Sequence, residues 1–301
     1  MMRSVDREVV VSATVVVGVD GSPSSLAAVD LAAREARMRR CELKVVHAFV
    51  WPMTYTPLAS VPLGPPEGSM REMVGEIVAE AVERARAAEP EVEVTNAVVG
   101  GEPLMVLESQ SHQAALIVVG SRGRGGFAGL LLGSTAVHLA AHGRCPTMVV
   151  RGGADATGPV LLGVDGSPAG DGAVGFAFEE AALRGTDLVA HHAWKPWSVA
   201  VTPPLDPTAS SALDPVMLEA GERRLVAEAL AGRHERYPDV PVRPEVVRGG
   251  AREALIEASR EAGLVVVGAR GRGGFAGLLL GSVSQALLHH AHCPVAVVRK
   301  E

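Results

Sequence analysis

Two stretches have the composition to do chemistry. Gly120–Ser134 reads GSRGRGGFAGLLLGS and Gly268–Ser282 reads GARGRGGFAGLLLGS; they differ only at Ser121 against Ala269. Each follows an apolar run, Leu116–Val119 or Leu264–Val267, and leads into a helix-like segment. The pattern is strand, glycine-rich loop, helix start. Glycines let backbone N–H groups close on an anion, and a helix start adds unsatisfied donors and a positive dipole end. One such loop could be a plain surface turn. Duplication of the same residues in place favours an anion site. Neither copy contains Gly-Lys-Ser/Thr, so phosphate hydrolysis of the P-loop type is unsupported. Gly123-Arg124-Gly125-Gly126-Phe127-Ala128 matches G-x-G-x-x-A, but it follows the fourth strand of its half, so the match is fortuitous and no nicotinamide site is expected. The loops offer no positioned general base, lysine or paired metal-binding carboxylates.

The elements that would position these loops occur twice. Strand Thr14–Val19 ends in Gly-Val-Asp-Gly-Ser; Ser22 is a fair N-cap, with Pro23 at the first helical position. A helix to about Arg40 carries the apolar stripe Ala27, Leu31, Ala32 and Ala36. There follow strand 43–49, a segment 51–66 too proline-rich for a helix, helix 67–88, strand 92–99, a helix opened by Gly101 and Pro103, strand 115–119, the glycine loop, helix 134–142 and strand 147–151. After a Gly-rich linker the programme restarts: strand 160–164, helix to Arg184, strand 188–193, Pro-rich loop, helix to Tyr237, strand 242–247, helix 253–262, strand, loop, helix, and strand 295–299. Asp20 and Asp165 are 145 apart, whereas Gly120 and Gly268, like Cys145 and Cys293, are 148 apart. The second half therefore has three extra residues between its first and fourth strands. This is one domain duplicated, with boundaries read at 1–153 and 158–301. Strands alternating with helices predict parallel sheets covered on both faces, with the ligand beyond the strands' carboxyl ends where strand order reverses.

Composition bounds the chemistry. Net charge is −6 over 301 residues, which gives no basic field for nucleic acid. Hydrophobic residues make up 48% and aromatics 3%, so the cores are Val, Leu and Ala. Three cysteines without a C-x-x-C pair point to a reducing, cytoplasmic setting, and Cys145 and Cys293, each before a proline, read as buried structural thiols. Asp6 and Glu8 break the basic start of a signal peptide, and no apolar run is long enough to span a membrane.

The spacing Gly120-x2-Gly123-x9-Gly133-Ser134, repeated as Gly268-x2-Gly271-x9-Gly281-Ser282, together with Gly-Val-Asp-Gly-Ser after strand one, resembles the universal stress protein family in its ATP-binding branch. The similarity covers essentially the whole chain and is close to the tandem two-domain form of mycobacteria. It implies an α/β fold of two tandem Rossmann-like domains, each a five-stranded parallel sheet of order 3-2-1-4-5 with helices on both faces. It also implies ATP as the ligand, alone or with Mg2+. Carried over by position, Gly18 with Asp20, and Gly163 with Asp165, would flank the adenosine, the carboxylates accepting from ribose hydroxyls; a local Asx turn is the alternative for the aspartates. Ala48 and Ala193 match the position whose backbone meets adenine, and the preceding His47 and His192 read as structural. Gly120, Gly123, Gly133, Ser134 and Thr135 in the first half would hold phosphate, as would Gly268, Gly271, Gly281, Ser282, Val283 and Ser284 in the second. Arg122, Arg124, Arg270 and Arg272 would either add charge there or stand as solvated loop residues. Trp51, Trp194 and Trp197 read as loop packing before a lid over adenine. Single-domain members commonly dimerise through their last strands, so strands 147–150 and 295–298 are expected to pair within the chain, with a homodimer as the further assembly.

The expected function is a cytoplasmic ATP-binding stress-response protein that senses or transmits nucleotide state through two sites. The alternative is a slow ATPase or adenylyl-transfer enzyme; a scaffold that has lost its ligand is disfavoured by intact glycines in both copies. A final expectation concerns inequality: Ala136 lacks the hydroxyl that Ser284 carries, so the first site should bind ATP about five-fold more weakly.

Overall fold

Short runs of β-branched residues bounded by glycine and proline form strands buried on both faces, which requires helices above and below them. The computed structural model describes residues 14–50, 53–56, 59–62, 69–123, 132–152, 158–195, 215–272 and 279–299. The first half runs β1 (Thr14–Gly18), α1 (Pro23–Arg39), β2 (Glu42–Phe49), β3 (Met53–Thr56), β4 (Ala59–Pro62), α2 (Ser69–Ala88), β5 (Val94–Gly100), α3 (Pro103–Gln110), β6 (Ala114–Gly120), α4 (Ser134–His142) and β7 (Thr147–Val150). The second runs β8 (Val160–Gly163), a 3-10 turn (Pro168–Gly170), α5 (Asp171–Arg184), β9 (Leu188–Trp194), α6 (Pro215–Leu230), α7 (Arg233–Arg236), β10 (Val242–Arg248), α8 (Ala251–Ala258), β11 (Leu264–Gly268), α9 (Ser282–His290) and β12 (Val295–Val298).

The sheet order is β10-β9-β8-β11-β12-β7-β6-β1-β2-β5. Each half has the order 3-2-1-4-5 in its own numbering, with parallel neighbours throughout. The two last strands meet antiparallel, Val295 opposite Val149 and Val297 opposite Thr147, joining the halves into one ten-stranded sheet. The expected pairing is found, and it removes two β-branched edges from solvent. Helices α1, α2, α5 and α6 cover one face and α3, α4, α8 and α9 the other, each over its own apolar layer.

The halves are also locked by charge. Glu35 and Glu180, 0% exposed, face Arg39 and Arg184 across the junction of α1 and α5. Arg39 donates to Glu35 at 2.9 Å and to Glu180 at 2.5 Å; Arg184 donates to Glu180 at 2.9 Å and also to Glu35. Burial, and then the charge of Glu180, push the Glu35 carboxyl up from 4.5 to about 8. The expected apolar stripe of α1 is therefore incomplete: the helix buries Glu35 on a second side, against its pseudo-symmetric partner. A second reciprocal pair lies at the strand ends, where Arg151 donates to the His289 carbonyl and Arg299 to the Ala141 carbonyl. Each cation meets the C-terminal turn of a helix from the other half, where the dipole favours it.

Some local expectations are corrected. In the first half Ser22 accepts from the Ser25 N–H at 3.1 Å and Ser25 Oγ donates back to the Ser22 carbonyl, so α1 starts cleanly at Pro23. Gly170 stands where Ser25 would be, Ser167 makes no cap bond, and a 3-10 turn precedes α5. The helix expected to reach Tyr237 breaks at Gly232, whose φ of 75° is left-handed, and ends as α7. The helix expected over 253–262 begins at Ala251 after Gly250 and stops at Ala258. Within the first Pro-rich segment, β3 (Met53–Thr56) and β4 (Ala59–Pro62) pair antiparallel. Trp51, Trp197, the loop arginine Arg124 and the linker 153–157 lie outside the described residues.

Candidate functional site

In each half the connections from the two central strands part to opposite faces, β1 to α1 and β6 to α4, or β8 to α5 and β11 to α9. That divergence leaves a crevice beyond the strand ends. Close packing at the divergence favours glycine, most firmly at Gly120, where the crowding atoms are backbone. A Cβ on Gly18 would stand 2.7 Å from Leu107 Cδ1, and one on Gly120 the same distance from the Ser24 backbone. A Cβ on Gly163 would meet Val267 and Leu255.

The aspartates clamp the loops. Asp20 Oδ1 accepts from the Ser22 N–H at 3.0 Å, and Asp165 Oδ1 accepts from the Ser167 N–H at 2.9 Å, so both make the Asx turn. Asp165 Oδ2 also accepts from the Arg272 N–H at 2.8 Å. Each carboxylate oxygen keeps a further acceptor site, so the turn and a ribose contact are compatible. A Cβ on Gly123 would lie 2.5 Å from Asp20 Oδ2, and Gly271 stands in the same relation to Asp165. The loops return by a bond from the Gly133 N–H to the Ser121 carbonyl at 2.8 Å, and from the Gly281 N–H to the Ala269 carbonyl at 2.7 Å. Helices α4 and α9 then open without a side-chain cap, and their first-turn residues line the crevices.

The second crevice is a cavity of about 500 Å³. It brings together Gly163, Asp165, Ala193, Gly268, Arg270, Gly271, Arg272, Gly281, Ser282, Val283 and Ser284, which is every second-half residue named from the sequence. The first is about 130 Å³ and gathers Gly18, Asp20, Ala48, Gly120, Arg122, Gly123, Gly133 and Thr135. Ser134 is exposed and outside that lining. Only the second volume falls in the range usual for small-molecule sites, about 300–1,000 Å³. Arg122, Arg270 and Arg272 are exposed loop residues. Arg122 lies close enough to Arg151 to help burial lower the Arg151 pKa, and Arg270 does the same for Arg299.

The expected role of Ser284 is corrected. Its hydroxyl is buried and donates to the Gly268 carbonyl at 2.7 Å, tying α9 to the end of β11. The donor intended for phosphate is engaged by the fold. His47 and His192 are structural as expected: His47 Nδ1 bonds the Val19 carbonyl at 2.8 Å, and His192 spans the Val164 carbonyl and Glu222. Trp194 is buried under the Arg248 guanidinium at 5.9 Å, which is packing and no lid.

Sequence reasoning missed His191, Arg252 and Leu255 in the second lining. His191 is 5% exposed; its Nδ1 meets Glu245 at 3.2 Å, and its Nε2 is buried with no partner among the described residues. An unpaired buried polar atom costs about 1–3 kcal/mol, the mark of a group awaiting a partner. Comparing the two halves position by position would have exposed it, since Val46 stands in its place in the first. Among the described residues no cluster of three or more His, Cys, Asp or Glu side chains could ligate a metal, and no helix is long and apolar enough to cross a membrane.

Comparison with known proteins agrees with this geometry. The universal stress protein family model matches residues 13–151 and again 157–299. Universal stress protein Rv2005c of Mycobacterium tuberculosis is 42% identical over 95% of this chain and 97% of its own length. The crystal structure of a universal stress protein from Archaeoglobus fulgidus superposes with a TM-score of 0.65 at 19% identity, covering 96% of this chain and 98% of that one. A universal stress protein solved in complex with cAMP is 31% identical over 46% of this chain and 97% of its own, with a TM-score of 0.36. The duplicated glycine loops, the clamping aspartates and the tandem match together place this chain in the universal stress protein family.

Proposed function

We propose that the chain is an ATP-binding stress-response protein of the cytoplasm, with one nucleotide site per half, that reports nucleotide state by occupancy. The observation carrying this reading is the second cavity, where the glycine loop, the start of α9 and Asp165 converge on one volume of about 500 Å³. Phosphates would lie on Gly268, Gly271, Gly281 and Ser282, beside Arg270 and Arg272. Asp165 would accept from the ribose, and the Ala193 backbone would meet the base. The division of charge suits a nucleotide: a carboxylate repels phosphate and accepts from hydroxyls, while helix N–H groups favour the anion. The Asp165 carboxylate is held by the Ser167 and Arg272 N–H groups, which supports a binding role over one as a general base. Isothermal titration with ATP, with and without Mg2+, tests this on the parent and on Gly123→Glu and Gly271→Glu. Each variant should lose the site of its own half. Unchanged stoichiometry in both would refute the placement.

A further inference from the structure

The strand registers set His191 of β9 opposite Glu245 of β10 and, at the equivalent place in the first half, Val46 of β2 opposite Ala97 of β5. One half thus carries two titratable side chains where the other carries two apolar ones. The pair has a direction. Glu245 Oε2 lies 3.2 Å from His191 Nδ1, and a carboxylate can only accept, so Nδ1 carries the proton. A neutral ring then presents Nε2 as a bare acceptor. That atom is buried without a hydrogen-bond partner among the described residues, while the residue lines the second cavity.

The sheet decides which part of a ligand His191 would meet. Strand β8 separates β9 from β11, so His191 stands two strand spacings, about 10 Å, from the strand that feeds the glycine loop. Gly163, its partner on β8, lies beside Val267 and Leu255, and Ala193 follows two residues on, so this end of the cavity is apolar and suits a flat base.

Resting on the nucleotide reading above, we infer that His191 reads the base in the second site: Nε2 accepts from an amino group on the base edge, so the site selects an amino-bearing base over a keto one. Nε2 is itself covered, so the bond forms with a side-chain turn of the kind common on binding. A keto oxygen in the same place would set acceptor against acceptor and leave both unpaired. The valine at position 46 has no polar atom with which to make that choice in the first half.

The test uses the full-length chain with its first site disabled by Gly123→Glu. It is titrated at pH 8, where an imidazole is ordinarily neutral, with ATP, inosine triphosphate and purine riboside triphosphate. Inosine exchanges the amino group for a keto oxygen, and purine riboside lacks it. ATP should bind about three- to tenfold tighter than the purine riboside form, and the inosine form should bind weakest. His191→Val should level the three. That position is buried, so the melting temperature is read alongside, and Glu245→Lys, at an exposed position, gives a second variant. An ammonium donates to Nδ1 and moves the ring proton to Nε2, so the preference should turn toward the inosine form. A histidine serving the fold alone would change the melting temperature and leave the ligand ranking as it was. That result, or equal affinities for the three ligands in the parent, would overturn the role of His191 while the nucleotide site stands. If none of the three binds, the nucleotide reading fails and this inference falls with it.

Discussion

Asp20 Oδ2 stands 2.5 Å from the point a Cβ on Gly123 would occupy. The glycine is thus required by the aspartate as well as by any anion. The carboxylate fixes the loop's first turn through the Ser22 N–H, and only a residue without a side chain can come down onto it. Gly123→Ala should therefore destabilise the first half by about 1–3 kcal/mol, at the low end if the carboxylate can swing aside. Asp20→Ala relieves the clash but gives up the Ser22 N–H bond, so it should cost less stability in the Gly123→Ala background than in the parent, and it should not recover nucleotide affinity. Thermal melting of the four proteins read beside titration separates the two effects; strictly additive costs would show that the clash is not the cause.

The second site should load first. Its cavity is about 500 Å³ against about 130 Å³, so nucleotide entry in the first half requires rearrangement that the second does not need. The expected ranking, with the first site about five-fold weaker or more, is kept, but its cause moves from a hydroxyl to volume. Because Ser284 Oγ is bonded to the Gly268 carbonyl, Ala136→Ser should not narrow the gap. Ser284→Ala should cost about 0.5–1.5 kcal/mol of stability. Titration of each half with the other disabled decides this, and equal affinities in the parent would contradict it.

The buried charge cluster makes stability depend on pH. With Glu35 raised from 4.5 to about 8, the folded chain holds a proton there that the unfolded chain has released. This contribution is fully present below pH 4.5, declines between about 4.5 and 8, and is lost above. Glu35→Gln, which resembles the protonated form, should flatten that part of the profile. Arg39→Ala leaves buried carboxylates short of a cation and should cost about 3–5 kcal/mol. Urea denaturation from pH 5 to 9 provides the comparison; parallel profiles for parent and Glu35→Gln would reject the assignment.

The cysteines should react slowly or not at all in the native chain. Burial pushes the Cys145 and Cys293 thiols up to about 12, and the Cys41 thiol is raised by the same cause. Cys293 is buried as expected, whereas Cys145 and Cys41 are half-buried. Since the thiolate is the nucleophile, iodoacetamide at pH 8 should leave Cys293 unmodified until denaturant is added and should label Cys145 and Cys41 only slowly. Prompt labelling of Cys293, read by mass spectrometry, would contradict its burial.

Periodicity and repetition determined much of this protein from the sequence alone. Alternating apolar strands and helices specify the parallel sheet, because a strand buried on both faces needs helices on both sides. The repeated G-x2-G-x9-G-S spacing marks the loops, because backbone approach leaves its trace in which residues are absent. The matched offsets of Asp20 with Asp165 and Cys145 with Cys293 mark the duplication. Tertiary structure alone decided what each polar group meets. Ser284 reads as a phosphate donor until its distance to the Gly268 carbonyl is known. Glu35 and Arg39 stand four apart on α1, and it is the antiparallel meeting of β7 and β12 that brings α1 against α5 and buries them with Glu180 and Arg184. The difference between the two cavities is likewise written in residues as ordinary as Val46 and His191. It becomes legible once the register of β2 and β9 sets them at equivalent places, because hydrogen-bond partners and cavity volumes depend on contacts between segments far apart in the chain.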